Sequence, residues 1–353
     1  MTEKDFYYVI SILKGEEPIE APDWFSVLGF LSCNRIEGLF YNRAQKNNVN
    51  LPKKIEKILE TAFEKQKRKV VFMRNELKAI TEGLEEDCVQ YMLLKGSVLS
   101  NLSKEDAVIY EDGERISNDI DLLVKPDEIA SVVKSLYKLG FVQGVYDQEE
   151  DKVKEFSRLE IVKRRMNRGE IAPFVKKTGN IEFPFIEIDI NFSLGNTPSE
   201  GAVLINEMIT SSKNYFGEVK MKVSSEELFF THLIMHQYKE LCLLFMVERN
   251  KDLDLYKLAD IYYILKANVL NLESLHEIIE KYKLQQEFGV VLQQIGELFF
   301  DEEILDYSKR FISEIPMVVD FETKKMYEWK ATYLERMCSF DSRRFLFEVR
   351  YDK

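Results

Sequence analysis

Two acidic residues one position apart, Asp119 and Asp121, stand inside the run Ser117-Asn118-Asp119-Ile120-Asp121-Leu122-Leu123-Val124. Side chains alternate between the faces of an extended strand, so both carboxylates point the same way. A pair of this kind suits a hard cation such as Mg2+ or Mn2+, which takes oxygen ligands and is commonly held by one or two carboxylates together with substrate phosphates. Upstream, Leu93-Leu94-Lys95-Gly96-Ser97 has the form of a buried strand ending in a turn that opens a helix. Gly96 lets a backbone approach phosphate closely, Ser97 adds a hydroxyl, and the free N–H groups of a helix start point at anionic oxygens. Arg115 is a bidentate donor for phosphate, and Lys95 is a further nearby cation.

These groups need a strand-turn-helix and a second strand to hold them, and the patterning supplies both. Val89 to Leu94 reads as a strand, Gly96 to about Leu102 as a helix, and residues 119 to 124 as the next strand. A helix from Pro126 ends at Gly140, with proline and acids in its first turn and glycine just past its end. Phe141 to Tyr146 follows as a strand, and Ala172 to Lys176 and Ile181 to Phe192 flank a turn at Thr178-Gly179-Asn180. Before this region, residues 1 to 88 show helical spacing, as in Ile55, Ile58, Leu59, Ala62 and Phe63, and Pro18, Pro22 and Pro52 favour several short helices over one rod. After it, Ser224-Ser225-Glu226-Glu227 has the form of a capping box with Ser224 as cap. Helices are expected over 225 to 242, 252 to 267, 272 to 283 and 285 to 300, and the tail from Met326 to Tyr351 is ambiguous. The expected organisation is an α+β mixed-sheet core over 89–223, an N-terminal helical region over 1–88 and a C-terminal helical domain over 224–353.

Composition narrows the field. With 353 residues the chain can bury a sizeable core, and no apolar run reaches the length of a membrane span. The start lacks a secretion signal, so the expected location is the cytoplasm. Cys33, Cys88, Cys242 and Cys338 lie far apart, which points to buried free thiols rather than a zinc site or disulfides. A net charge of -12 disfavours long contact with a nucleic-acid backbone and favours a small acceptor, a cationic one included. One segment opposes that average: Lys152, Lys154, Arg158, Lys163, Arg164, Arg165 and Arg168 form either a solvated helix face or a basic flap over an anionic ligand.

The two motifs in this order, Leu-Leu-Lys-Gly-Ser and then Arg115-x-x-x-Asp119-Ile120-Asp121-Leu122-Leu123-Val124, resemble the uncharacterised nucleotidyltransferase family of the DNA-polymerase-beta-like superfamily. The resemblance runs from about residue 89 to 265 and includes His232-x-x-x-His236 and Leu255-Tyr256-Lys257-Leu258-Ala259-Asp260. It departs from the smallest members in a longer interval before Asp119, with Ser103 to Gly113 inserted. The resemblance implies a third carboxylate on a later strand. Phe185-Ile186-Glu187-Ile188-Asp189-Ile190-Asn191 supplies it, with Asp189 as the best match and Glu187 as its neighbour on the same face. It further implies two Mg2+ or Mn2+ ions held by Asp119, Asp121 and Asp189, and a nucleoside triphosphate, most simply ATP, as co-substrate.

His232 and His236 lie one helical turn apart but lack the glutamate of a hydrolytic zinc motif. They and Asp260 are either core groups or members of an acceptor pocket formed with Glu187, and the resemblance implies that the C-terminal helical domain over 224–353 shapes that pocket. His276 is expected to be structural. Three readings stay open. The first is transfer of a nucleoside monophosphate to a hydroxyl of a small molecule, with release of pyrophosphate. The second is the same transfer to a protein or RNA hydroxyl. The third is a nucleotide-binding or interaction module without turnover.

Overall fold

A computed structural model describes residues 1–101, 109–167, 169–194, 201–216, 219–312, 314–339 and 347–351. Much of the insert at Ser103 to Gly113, and Arg168, Arg343 and Arg344, lie outside the described residues. The chain divides into two compact units, Lys65–Phe229 and Met1–Glu64 with Phe230–Lys353.

Helices α1 (Glu3–Lys14), α2 (Trp24–Cys33) and α3 (Glu37–Lys46) are short, as the prolines imply. The next, α4 (Lys53–Glu86), is a rod of 34 residues, which corrects the expectation of short helices throughout. Its cause is visible: between Pro52 and Gly83 there is no proline or glycine to interrupt it. Leu59, Phe63, Val70, Met73, Leu77, Ile80 and Leu84 recur at three- and four-residue spacing, and all are buried.

After α4 come β1 (Tyr91–Leu94), the short helix α5 (Lys95–Leu99), β2 (Asp119–Val124), α6 (Ile129–Lys138) and β3 (Val142–Asp147). The basic segment, read as either a solvated helix face or a flap, is divided into β4 (Lys152–Glu155) and α7 (Arg158–Asn167). Strands β5 (Phe174–Lys177) and β6 (Phe185–Asn191) are joined by a longer connection than the three-residue turn expected. Residues 178–184 form it, held by Asn180 Oδ1 accepting from the Glu182 and Phe183 amides. The six strands form one sheet in the order β1-β2-β6-β5-β3-β4. Its pairings are antiparallel except β2 with β6, which is parallel. The unit is completed by α8 (Ala202–Thr210) and the hairpin β7 (Lys213–Phe216) and β8 (Lys220–Val223), none of which the sequence pattern announced.

The face of the sheet that carries Ile186, Ile188 and Ile190 is buried, while Glu187, Asp189 and Asn191 alternate onto the other face. Burying three isoleucines fixes which face the acids take, because a one-residue slip would exchange the two sets.

The chain then passes into α9 (Glu226–Leu241), α10 (Leu244–Glu248), α11 (Leu255–Lys266), α12 (Leu272–Tyr282), α13 (Gln285–Phe299) and α14 (Glu302–Ser308). The cap of α9 is Ser225, whose hydroxyl accepts the Leu228 amide, and not Ser224, which corrects the capping-box register by one residue. In the ambiguous tail, β9 (Val318–Val319), β10 (Met326–Trp329) and β11 (Phe347–Tyr351) form a three-stranded sheet, with α15 (Tyr333–Cys338) between the last two strands. His276 bonds Tyr307 at 3.0 Å and stacks on its ring. The four cysteines are free, but Cys33 and Cys88 are exposed, because they sit at the ends of α2 and α4 rather than on packed faces. No helix among the described residues is long and apolar enough to cross a membrane.

Candidate functional site

The register between β2 and β6 assembles the acids. Asp119 is the Cα partner of Glu187, and Asp121 is the partner of Asp189, so four carboxylates form two adjacent pairs on one sheet face. Asn191, next along that face, directs its amide to Asp121 Oδ1 at 3.5 Å. On the other flank Leu94 pairs with Asp121, which brings the end of β1 and the start of α5 beside the row.

Lys95 is the first residue of α5 and adopts a left-handed φ of 50°. Its ammonium lies 2.7 Å from Asp121 Oδ1. The Ser97 hydroxyl accepts the Asp121 amide at 3.3 Å, which ties the turn to the strand. Gly96 is required by a close approach: a Cβ there would stand 2.8 Å from Ser117 Oγ and 3.3 Å from the Arg115 guanidinium. Ser117 in turn donates to the Asp119 carbonyl at 2.7 Å. Arg115 is buried, and its guanidinium donates to the Ile116 carbonyl. Lys95, Gly96, Ser97 and Arg115 therefore gather at the β1 flank of the acids.

The electrostatics of the row are those of crowded like charge. Burial pushes Asp189 up to about 8, and the charges of Asp121, Asp119, Glu187 and Glu170 push in the same direction. Glu187 is raised by burial and by Asp119, and lowered by Arg164. Asp121 is raised by burial, with Lys95 opposing and Asp119 and Glu170 reinforcing. Burial would lower Lys95, but Asp121 at hydrogen-bond distance outweighs it and holds the ammonium above its usual value.

Of two further members of this site, Glu170 had no signal in the sequence, while Arg164 stands in the basic segment that reads as a solvated helix face or a flap over an anionic ligand. Glu170 reaches the row because it bridges Asn191 in an antiparallel pairing, after a left-handed turn at Gly169, where φ is +65° and a Cβ would meet Ser193 at 2.5 Å. Arg164 projects from α7, packs over Phe156 at 4.4 Å and acts electrostatically on Glu187. Within the basic segment the roles separate: Lys152 and Lys154 are paired with Glu150 and Asp147, while Arg164 serves the acids. Asn191 and Ser117 were legible in principle, since one continues the alternation of β6 and the other opens the acidic motif.

Among the described residues, no group of three or more His, Cys, Asp or Glu side chains is arranged as it stands to hold a metal ion. At Asp121 the positive charge comes from Lys95. The donor chemistry itself fits a hard dication: Asp119, Asp121 and Asp189 offer carboxylate oxygens alone, and Asp189 is raised by burial and then by neighbouring negative charge that such an ion would relieve.

His232, His236 and Asp260 belong to the other unit. The two imidazoles, on α9, stack with centroids 6.1 Å apart, and His236 Nε2 lies 3.5 Å from Glu240. Asp260 is buried on α11.

A family model described as an uncharacterised nucleotidyltransferase matches residues 20–300. No curated protein matches the chain. Among solved structures, the chain is similar to an antigenic nucleotidyltransferase-like protein from Paracoccidioides brasiliensis, at 13% identity over 61% of this chain and 90% of that one, with a TM-score of 0.34.

Proposed function

The chain belongs to the uncharacterised nucleotidyltransferase family, and from that premise we propose that it transfers a nucleoside monophosphate from a nucleoside triphosphate, most simply ATP, to a hydroxyl of a small-molecule acceptor. The observation that carries this reading is the in-register pairing of Asp119 with Glu187 and Asp121 with Asp189, beside the Gly96-Ser97 turn.

Asp119, Asp121 and Asp189 would hold Mg2+. When bound, the ion would neutralise phosphate oxygens and favour the ionised form of the attacking oxygen. The chain's own groups do the rest. The space a Gly96 side chain would fill is taken by Ser117 and Arg115, which brings the guanidinium to the turn, and Ser97, whose oxygen already accepts the Asp121 amide, keeps its hydroxyl proton to donate. Lys95 and Arg115 supply positive charge on the same flank, where the pyrophosphate departs. Asp189, on the strand next to Asp121, would hold the ion beside the acceptor oxygen. The acceptor oxygen forms a bond to the α-phosphorus, the bond from that phosphorus to the bridging oxygen breaks, pyrophosphate leaves, and the acceptor's proton passes to solvent water.

Purified protein given Mg2+, each labelled triphosphate and a panel of hydroxyl acceptors is expected to release pyrophosphate. Asp119→Ala combined with Asp121→Ala should lower the rate by about 10³-fold or more. Binding of triphosphate with no turnover against any acceptor would contradict the proposal and favour a nucleotide-binding module.

A further inference from the structure

A cavity of about 340 Å³ opens at the far end of β6 from the apolar core, lined by Lys69, Tyr146, Gln148, Glu182, Phe183 and Phe185 among others. It is of the size that small-molecule sites occupy. Its walls are aromatic and held in place. Tyr146 stacks on Phe185 with centroids 4.6 Å apart and planes within 18°, and Phe183 packs on Phe72 at 5.3 Å. At the rim, Arg68 engages both carboxylate oxygens of Glu182, at 2.9 and 2.7 Å, which offsets that acid's charge. Among the described residues no carboxylate lies within ion-pairing distance of Lys69, and its ammonium stands 5.5 Å over the Phe183 ring. A half-buried cation of this kind is incompletely solvated and gains from an anionic partner.

The cavity lies beside the acids along β6. Phe185 precedes Glu187 by two residues on the same face of β6, a separation of about 7 Å along a strand. Lys69 also responds to the site: burial lowers its pKa, and the charge of Asp119 opposes that shift. The order β1-β2-β6-β5-β3-β4 sets the Gly96-Ser97 turn on one flank of the carboxylate row and the cavity on the other. A phosphate chain on the first flank leaves the second for the molecule that attacks it.

We propose that this cavity is the acceptor seat, and that the acceptor is a planar aromatic molecule bearing an anionic group, its ring against Phe183 and Phe185 and its charge on Lys69. The assignment rests on the transfer reading given above. It replaces the helices after residue 223 as the source of the acceptor wall, and it reverses the acceptor charge that net composition favours. The same chemistry, a flat ring with an adjacent anion, is also carried by the base and α-phosphate of the nucleotide, so the test separates the two sources.

Saturation-transfer NMR on the full chain, with salicylate, benzylamine and cyclohexanecarboxylate as probes, reads the cavity without turnover. Salicylate is expected to bind about tenfold or more tightly than either of the others. Lys69→Gln should remove that advantage over benzylamine, and Lys69→Arg should keep it, which sets aside a folding defect. Equal binding of benzylamine, or full salicylate binding by Lys69→Gln, would overturn the proposal. Displacement of salicylate by Mg2+ and ATP would also overturn it, giving the cavity to the nucleotide base. Calorimetry with Mg2+ and ATP, run separately, distinguishes the two levels: salicylate binding without ATP binding removes the transfer reading, whereas ATP binding without salicylate binding removes the acceptor seat alone.

Discussion

Each unit buries a group of charges, and the two groups follow opposite rules. In the helical unit the buried Arg336 and Lys257 are both answered. Arg336 Nη2 meets Asp252 Oδ2 at 2.6 Å, with the guanidinium stacked 3.5 Å over Trp329. Lys257 lies between Glu240 and Asp254. Burial alone would lower Lys257, but those acids hold it above its usual value. In the sheet unit, Asp119, Asp121, Glu187 and Asp189 share a face, Glu170 adds to their field, and Lys95 is the cation in ion-pairing contact with them. Matched buried charge fixes a helix arrangement. Unmatched charge of one sign costs stability and is retained where a ligand of the other sign completes it.

The comparison breaks first, and with the largest effect, at the matched pair. Asp252→Asn leaves the Arg336 guanidinium buried without its counter-charge, and urea unfolding should show a loss of about 3 kcal/mol or more. A change under about 1 kcal/mol would mean that this pair is no more demanding than a surface one.

The acidic row should respond in the opposite direction. Unfolded, the Asp189 carboxyl ionises from its ordinary value of 3.8; folded, it keeps its proton to about 8. Between those values the folded state binds more protons, so the metal-free protein loses stability as pH rises through that window. Asp189→Asn should therefore melt higher than the parent at pH 8, by a stability difference on the order of a few kcal/mol, and the gap should close towards pH 4. A variant less stable than the parent at every pH would place Asp189 among the matched charges.

The smallest effect sharpens the boundary between bracing and chemistry. Ser97→Ala removes the acceptor for the Asp121 amide, and thermal unfolding should register about 1 kcal/mol. Pyrophosphate release should fall further than that loss explains if the hydroxyl also donates to phosphate.

Much of the row was legible in the sequence, and the reasons are particular. The alternation in Asp119-Ile120-Asp121 and Glu187-Ile188-Asp189 states which residues share a face, and the structure keeps that reading. What the pattern cannot state is the register between two strands more than sixty residues apart, since pairing is decided by the whole sheet. Glu170 was hidden for the same reason, since a bridge to Asn191 brings it in and leaves no local spacing; Arg164 was visible as part of a basic segment, but which of its cations meets the acids was not. Lys69 sits in a run of lysines and arginines on a long helix that reads as solvated, and its setting appears only once the 178–184 connection is folded beside it. The misplaced cap at α9 came from two adjacent serines, either of which satisfies the motif.

Unfolding of the full chain at pH 8, followed with and without Mg2+ and ATP, tests most directly whether the row awaits a positive ligand. The account predicts that Mg2+ with ATP raises the melting temperature of the parent, and that Asp119→Asn combined with Asp189→Asn, which leaves the Lys95–Asp121 pair intact, starts higher and gains nothing. Equal gains in parent and variant, or none in either, would contradict it.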